Sequence, residues 1–467
     1  SLSLSPSSSA ASSGMLLTAA AAARPLPLPL LSIGSIDMPS SFPRALAAPA
    51  STSRRRRRSR RNPHRRLPRC CLSLDRADEN ASATSPSGDL RVAIAGGGTG
   101  GHIYPAIAIA DEIKNADPRA RILFLGSEAG MEGVAVPSAG YDFVPVPTVR
   151  LARPVFLSPE NFLFPFRLVA AVAASWRKLR EFGPQVVVGT GGYVSAPVCL
   201  AVALLPGARL VIQEQNSYPG VTNRVLAPLA DTIFLAFESC AKFFPREKCV
   251  VSGNPVRLSL RRFVSKAVAR SHFFPSAAFW SAGRTAQVLL VLGGSSGAHA
   301  INIAVLNMYS QMLSLHKDRF VIWQTGEDSF SEMESLVKNH RRLVLTPFLH
   351  TMDLAYAAAD VVVSRSGAMT CTEILTTGKP SILIPSPNVA DDHQTKNANI
   401  MAEIAGSKVL REDELDSSTL ETTIDEVLGD ESLMADMSEK AMKYAKPNAS
   451  TEIAGSIIAL SKSSTTK

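Results

Sequence analysis

The sequence predicts an α/β fold made of two doubly wound domains facing a common cleft. Three observations carry that expectation. Short apolar runs rich in Val, Ile and Leu alternate with segments whose apolar residues fall on one helical face. Strands alternating with helices in this way form parallel sheets covered by helices on both faces. The runs also divide into two series, with Asn254 to Arg262 between them, and each series opens on a strand followed by a glycine cluster.

The first series begins near Asp89. Leu90 to Ala95 reads as a buried strand, and Pro105 to Lys114 follows with Ala106, Ile109, Ala110 and Ile113 on one helical face. Pro105 suits a first helical turn, where its missing N–H costs nothing. Arg121–Leu125, Gln185–Val188, Leu210–Ile212 and the run at Val250 are the next strands. The second series runs through Gln287–Leu292, Phe320–Trp323, Leu343–Leu345, Val361–Val363 and Ser381–Ile384. Phe263 to Ala286 is less periodic and is expected to form loops at the second domain's entrance. The resulting division is a leader at 1–88, a first domain at 89–256, a second at 257–440, and a C-terminal helix at 441–467 that packs back on the first domain.

The leader differs from everything after it. Residues 1–71 hold 12 Arg against one Asp, a net charge of +11, whereas the remainder holds 37 basic and 39 acidic side chains, a net of −2. The overall +9 therefore reflects the leader, and the near-neutral body gives no reason to expect nucleic acid as a partner. A Ser-, Ala-, Pro- and Arg-rich segment with an unbroken run from Arg54 to Arg58 has the composition of an organelle transit peptide. A chloroplast destination is expected, with the mitochondrion as the alternative; a disordered basic tail is the plainer reading. No run of about 18 apolar residues is present, so a spanning helix is not expected. The six cysteines, Cys70, Cys71, Cys199, Cys240, Cys249 and Cys371, contain no C-x-x-C pair, so neither a metal nor a disulfide framework is expected.

Three glycine loops carry the chemistry. They are Gly96-Gly97-Gly98-Thr99-Gly100-Gly101-His102, Gly189-Thr190-Gly191-Gly192-Tyr193 and Gly293-Gly294-Ser295-Ser296-Gly297-Ala298. Each follows a strand, where glycine lets backbone N–H groups approach an anion at a helix N-terminus. The first also satisfies G-x-G-x-x-G, with Glu128 at about the place of a ribose-binding acid, which leaves a dinucleotide oxidoreductase open. Three such loops in two domains point instead to a cleft that accepts phosphates from more than one ligand. Polar clusters flank them: Gln213-Glu214-Gln215-Asn216 with Asn223, Ser364 to Thr370 leading to Glu373, and Asp391-Asp392-His393-Gln394 with Asn397. Amides suit sugar hydroxyls, and a carboxylate after a strand suits a ribose diol.

These passages resemble the MurG family of glycosyltransferases. The matching motifs are GGGTGGHIYPAIAIADEI, GTGGYVSAP, EQNSYPGVTNRVLA, GNPVR, GGSSGA, QTG, and SRSGAMTCTEIL with DDHQTKNA, in the family's order from Val92 to about Ala398. The resemblance implies a GT-B fold of two Rossmann-like domains. It also implies inverting transfer of N-acetylglucosamine from UDP-N-acetylglucosamine to a polyprenyl-pyrophosphate-linked, lipid I-like muramoyl-peptide acceptor, with no cofactor. By motif, Arg257, Ser295 and Ser296 would face the UDP phosphates. Phe348 and Leu349 would border uracil, Met369 and Thr370 would lie by the nucleotide, and Glu373 would bind ribose. His393, Gln394, Asn216 and Asn223 would read the sugar. Thr99, Gly100 and Gly101 would meet the acceptor pyrophosphate, with Tyr193 along the cleft. His102 would be the base, with Glu214 as the other candidate or the group that orients His102. The chain departs from the family where Gln213 replaces a common His and Ser296 a common Gln, and Arg150 to Pro154 only loosely follows the basic acceptor loop.

Phe156 to Arg180 mixes aromatic and aliphatic residues with Arg167, Arg177, Lys178 and Arg180. That suits peripheral contact with an anionic membrane surface, while a core helix with a snorkelling basic edge is the competing reading. Two other functions stay open: a plastid glycolipid glycosyltransferase using another UDP-hexose, and a non-catalytic UDP-sugar binder.

Overall fold

The structure is a computed structural model that describes residues 89–152, 158–275, 286–389 and 392–464. Residues of the leader, with Arg153, Pro154, Phe156 and Asp391, lie outside them. The first lobe carries β1 (Arg91–Ala95), β2 (Arg121–Gly126), β3 (Asp142–Pro145), β4 (Val186–Gly189), β5 (Arg209–Glu214), β6 (Thr232–Leu235) and β7 (Cys249–Val251). Between these strands run α1 (Gly100–Ala116), α2 (Glu132–Ser138), α3 (Phe164–Phe182), α4 (Gly192–Val202) and α5 (Val221–Leu226). The sheet order is β3-β2-β1-β4-β5-β6-β7, and every pairing is parallel.

The second lobe begins with α6 (Lys266–Phe273) and carries β8 (Gln287–Leu292), β9 (Arg319–Gln324), β10 (Leu343–Thr346), β11 (Val361–Ser364), β12 (Ser381–Leu383) and β13 (Lys408–Val409). Its further helices are α7 (His299–Leu315), α8 (Glu327–Leu336), α9 (Met352–Ala358), α10 (Ala368–Thr377), α11 (His393–Ala405), α12 (Ser417–Gly429) and α13 (Glu431–Tyr444). The order β10-β9-β8-β11-β12-β13 is again parallel throughout.

The apolar runs are continuous because both faces of each sheet are covered. Val92 and Ile94 pack toward α1, while Ala93 and Ala95 pack toward Val198 of α4. In the second lobe Leu290 and Val362 join Tyr356, and Leu289 and Val291 join Trp323. The small Ala side chains of β1 leave room for α4 to approach closely.

Three expectations are corrected. The 263–286 stretch is not all loop: α6 forms there, and Arg270 anchors it by donating to Ala358 O, Ala286 O and Asp360. Pro105 lies past the first turn of α1, because the helix already starts at Gly100. The return to the first lobe starts after Tyr444, not at 441, since Ala441 is buried in the second lobe's core. The returning helix is α14 (Ala449–Ser464), whose Ile453 and Ile457 are buried against the α1 face of the first sheet. Two such side chains contribute about 1.5–3 kcal/mol each. Thr451 and Arg261 both bond to Glu112 of α1, which fixes the docking angle. Among the described residues no helix is long and apolar enough to cross a membrane.

Each sheet has one place where strand order reverses, between β1 and β4 in the first and between β8 and β11 in the second. Parallel sheets bind ligands in the crevice beyond the strand C-termini at these points. The glycine loops at Gly96, Gly189 and Gly293 and the Ser364 loop all stand there.

Candidate active site

In the first lobe the two glycine loops touch. Gly192 has φ +78°, and a Cβ added to it would lie 2.7 Å from Gly97 O. Thr190 Oγ1 donates to His102 O at 2.9 Å, which ties the second loop to the start of α1. Glu132, fully buried at the start of α2, lies beneath the first loop; it accepts from Gly98 N at 3.0 Å and Ser127 N at 2.9 Å. Glu128, the acid that a dinucleotide fold would use, is exposed instead. Thr99 is exposed at the α1 N-terminus and makes no side-chain cap, beside Gly100 and Gly101. The Tyr193 ring covers Gly98 and has the Arg150 guanidinium 5.9 Å from its centroid.

His102 is held by its Nδ1, 2.9 Å from Thr190 O and 3.1 Å from Gln215 Oε1. Burial lowers its affinity for a proton below the ordinary histidine value. The Glu214 charge and the bonds to Gln215 and Thr190 oppose that shift, and His393 across the cleft adds to it. The imidazole is thus neutral near pH 7, with Nε2 as its unprotonated nitrogen if Nδ1 carries the hydrogen.

Glu214 does not touch His102. Its carboxylate accepts from Asn216 N (3.0 Å), Asn216 Nδ2 (3.3 Å), Gly220 N (3.0 Å) and Asn223 Nδ2 (2.8 Å). Four donors fill the four lone-pair directions of a carboxylate, so none is aimed at a reacting hydroxyl. The geometry makes Glu214 the organiser of its loop and an electrostatic neighbour of His102. Asn216 and Asn223 have their amides committed to that carboxylate, on the first lobe.

The lobes meet through a polar seam behind the cleft. Asn254 Nδ2 donates to Gln215 O at 3.0 Å and to Thr372 Oγ1 of α10 at 2.9 Å. Ser217 N and Oγ donate to Asn397 Oδ1, and the Lys396 ammonium lies 3.8 Å from the Tyr218 ring centroid. Arg257, just past β7, stacks over the Tyr104 ring of α1 at 4.0 Å and faces Glu373 of α10. Its Nε is buried without a hydrogen-bond partner.

On the second lobe Glu373 is buried and accepts from Tyr356 Oη at 3.0 Å. Burial pushes its carboxyl up, and the Arg257 guanidinium and the Tyr356 hydroxyl oppose this. Ser295 and the exposed Ser296 lie on the Gly293 loop, which Gln324 braces by accepting from Gly294 N (3.1 Å) and donating to Gly294 O (2.7 Å). Thr370 is partly exposed at the start of α10, and Met369 is buried beside it. Phe348 is half-buried against His350, whereas Leu349 is in the lobe's core. Gln394 spends its Oε1 on Ser386 N, and His393 starts α11 facing His102.

The structure therefore gathers His102, Tyr193 and the α1 N-terminus on one wall, and Arg257, Glu373, Ser295 and His393 on the other. Leu349 completes the second lobe's core and Asn216 is bonded to Glu214, while Asn223, whose Nδ2 is on Glu214, has a buried Oδ1 without a hydrogen-bond partner. Glu132, Asn254 and Gln324 carry no role in the sequence reading, although Asn254 and Gln324 lie inside the recognised motifs, and Gln215 appears there only as one of a cluster of polar residues. Glu132 had a weak signal: it lies between Gly130 and Gly133 in a glycine-rich turn that also holds Glu128.

Comparison with known proteins identifies the lineage. The glycosyltransferase family 28 N-terminal domain matches residues 92–235, and the family 28 C-terminal domain matches residues 288–453. A curated protein of Salinibacter ruber is 44% identical over 369 residues, covering 79% of this chain and 96% of its own. One from Flavobacterium psychrophilum is 41% identical over 370 residues, with 79% and 97% covered. Both are named UDP-N-acetylglucosamine--N-acetylmuramyl-(pentapeptide) pyrophosphoryl-undecaprenol N-acetylglucosamine transferase. The chain belongs to the MurG family.

The crystal structure of Acinetobacter baumannii MurG superposes with a TM-score of 0.59 at 26% identity, covering 79% of this chain and 99% of that one. The calicheamicin glycosyltransferase CalG4, at 14% identity and a TM-score of 0.54 over 79% of this chain and 98% of its own, shares the fold. Two parallel-sheet lobes with these neighbours make the architecture GT-B.

Proposed function

We propose that the chain is an inverting glycosyltransferase that moves N-acetylglucosamine from UDP-N-acetylglucosamine to a lipid-linked muramoyl-peptide acceptor, a step of peptidoglycan precursor synthesis. The observation that carries this reading is the placement of His102 beyond the switch point of the first sheet, opposite His393, with Glu373 and Arg257 together beyond that of the second. The names of the relatives support it.

The acceptor hydroxyl oxygen would attack the anomeric carbon while the bond from that carbon to the diphosphate oxygen breaks. The hydroxyl proton passes to His102 Nε2, and the bonding pair leaves with UDP. Arg257 and the N–H groups of the Gly293 loop stabilise the charge that grows on UDP. Glu373 holds the ribose. Thr99, Gly100 and Gly101 at the α1 N-terminus receive the acceptor pyrophosphate.

Gln213 is fully buried and donates to Asn254 Oδ1 at 2.9 Å. The departure from the family at this position is thus inside the interlobe seam and offers no reason to exchange the donor sugar. The test is a screen of UDP-sugars and acceptors with UDP release as readout. Release that requires UDP-N-acetylglucosamine together with a lipid-linked muramoyl peptide supports the reading, and release with diacylglycerol and another UDP-hexose overturns it.

Peripheral membrane contact through α3 and the 3-10 turn before it belongs to the same proposal. Phe162, Leu163, Phe166 and Val169 are exposed beside Arg167, while only Ala171, Ser175 and Leu179 of α3 are buried. This replaces the core-helix alternative for that face and suits a lipid-borne acceptor. Import into a chloroplast, or alternatively a mitochondrion, rests on the composition of the leader alone.

A further inference from the structure

The side-chain amides behind His102 have a polarity that decides which imidazole nitrogen carries hydrogen. Gln215 Nε2 donates to Thr190 O at 2.8 Å and Gln213 O at 3.2 Å, and it also faces Gln213 Oε1. All three partners accept, so the nitrogen end of Gln215 points to them and its Oε1 is the end that meets His102. Nδ1 then faces two acceptors, Gln215 Oε1 and Thr190 O. Only an Nδ1–H satisfies both.

The line of oriented amides continues to the other lobe. With Gln213 Oε1 turned to Gln215, Gln213 Nε2 donates to Asn254 Oδ1. That leaves Asn254 Nδ2 to donate to Gln215 O and to Thr372 Oγ1. Thr372 accepts with its oxygen because its own hydrogen goes to Ala368 O at 2.8 Å, inside α10. Every amide in the line has one orientation, and α10, the helix that carries Glu373, sets the last of them. Gln213, Gln215 and Asn254 are each 1% exposed or less, so water does not substitute for these partners.

We infer that Gln215 and Gln213 are positioning residues that hold His102 as the Nδ1–H tautomer with Nε2 free, and that Asn254 and Thr372 carry this setting from the donor-lobe helix. The inference rests on the reading of His102 as the base. It adds that the seam to α10 strengthens a setting that Thr190 O already favours from within the first lobe. The charged and titratable groups facing His102 are Glu214 from its own lobe and His393 from α11, and neither contacts Nδ1.

The test is ¹⁵N NMR of the histidine-labelled full chain, with His102 assigned by its loss in His102→Gln, alongside steady-state kinetics. The wild type should show a neutral His102 with hydrogen on Nδ1. Gln215→Leu, which leaves Thr190 O as the one acceptor on Nδ1, should lower the Nδ1–H share and reduce kcat about 10-fold with little change in KM for UDP-N-acetylglucosamine. Thr372→Val should show a smaller loss of both signatures, and Thr372→Ser should recover them. These two variants keep the test open should Gln215→Leu fail to fold. An Nδ1–H signature unchanged in Gln215→Leu or, where that variant does not fold, in Thr372→Val overturns the inference. A His102→Ala enzyme that retains turnover, with the tautomer still shifting in Gln215→Leu, sinks the base assignment and leaves the positioning roles standing.

Discussion

The glycine loops of the two lobes look alike in sequence and are braced by opposite chemistry. Beneath the first, the buried Glu132 carboxylate accepts from Gly98 N. Beneath the second, the neutral Gln324 amide bonds both Gly294 N and Gly294 O and also Pro347 O. A carboxylate below a loop repels an incoming phosphate, whereas an amide adds no charge. The difference favours the second loop for the nucleotide diphosphate. Glu132 lies under the Gly98 end of the first loop and away from Thr99 to Gly101 at the start of α1. The second lobe is suited to the nucleotide, and on the proposed mechanism the first meets its anion at the α1 N-terminus, beside His102.

The largest expected effect follows from that division. His102→Ala should lower kcat about 10²- to 10⁴-fold, the range for a lost general base, with UDP affinity retained. Near-normal turnover in this variant would remove the first lobe from the chemistry. A sharper probe of the contrast is Gln324→Glu, which places beneath the second loop the charge that the first already carries. It also sets an acceptor against Gly294 O and Pro347 O, and UDP binding should weaken about 10- to 100-fold. Unchanged affinity, measured by competition with a fluorescent UDP analogue, would break the comparison.

The pH profile comes next in size. Because burial lowers the His102 value, the base stays unprotonated below the ordinary 6.5. The acid limb of kcat/KM should therefore fall only as pH drops through that lowered value. A limb above 6.5 would contradict the assignment. Smallest in catalysis is Phe162→Glu with Phe166→Glu, which should reduce flotation with anionic vesicles and leave turnover on a detergent-dispersed acceptor unchanged. Equal flotation would argue against α3 as the contact.

The sheet strands and the switch-point loops were legible because local sequence dictates them: β-branched runs, glycines at positive φ, and polar residues after strand ends. The walls of the cleft followed from motif order. What stayed hidden was set by partners distant in the chain. Asn254 meets Thr372 across 118 positions, and His102 meets Gln215 across 113. No window of sequence contains either pair. The face of α3 was ambiguous for a related reason, since its periodicity admits burial or exposure and only packing decides. Glu214 could be read as a base because its four donors come from backbone and amides whose directions sequence does not give. The same holds for Leu349, whose motif position suggests a ligand and whose side chain completes a core.

The most direct test of the division between lobes is calorimetric titration of UDP-N-acetylglucosamine into the full chain, its Glu373→Ala variant and its His102→Ala variant. A hydrogen bond to a charged group contributes about 1.5–3 kcal/mol, so binding should weaken about 10- to 100-fold in Glu373→Ala and stay at the wild-type value in His102→Ala. No heat with the wild type, or equal affinity in Glu373→Ala, would contradict it.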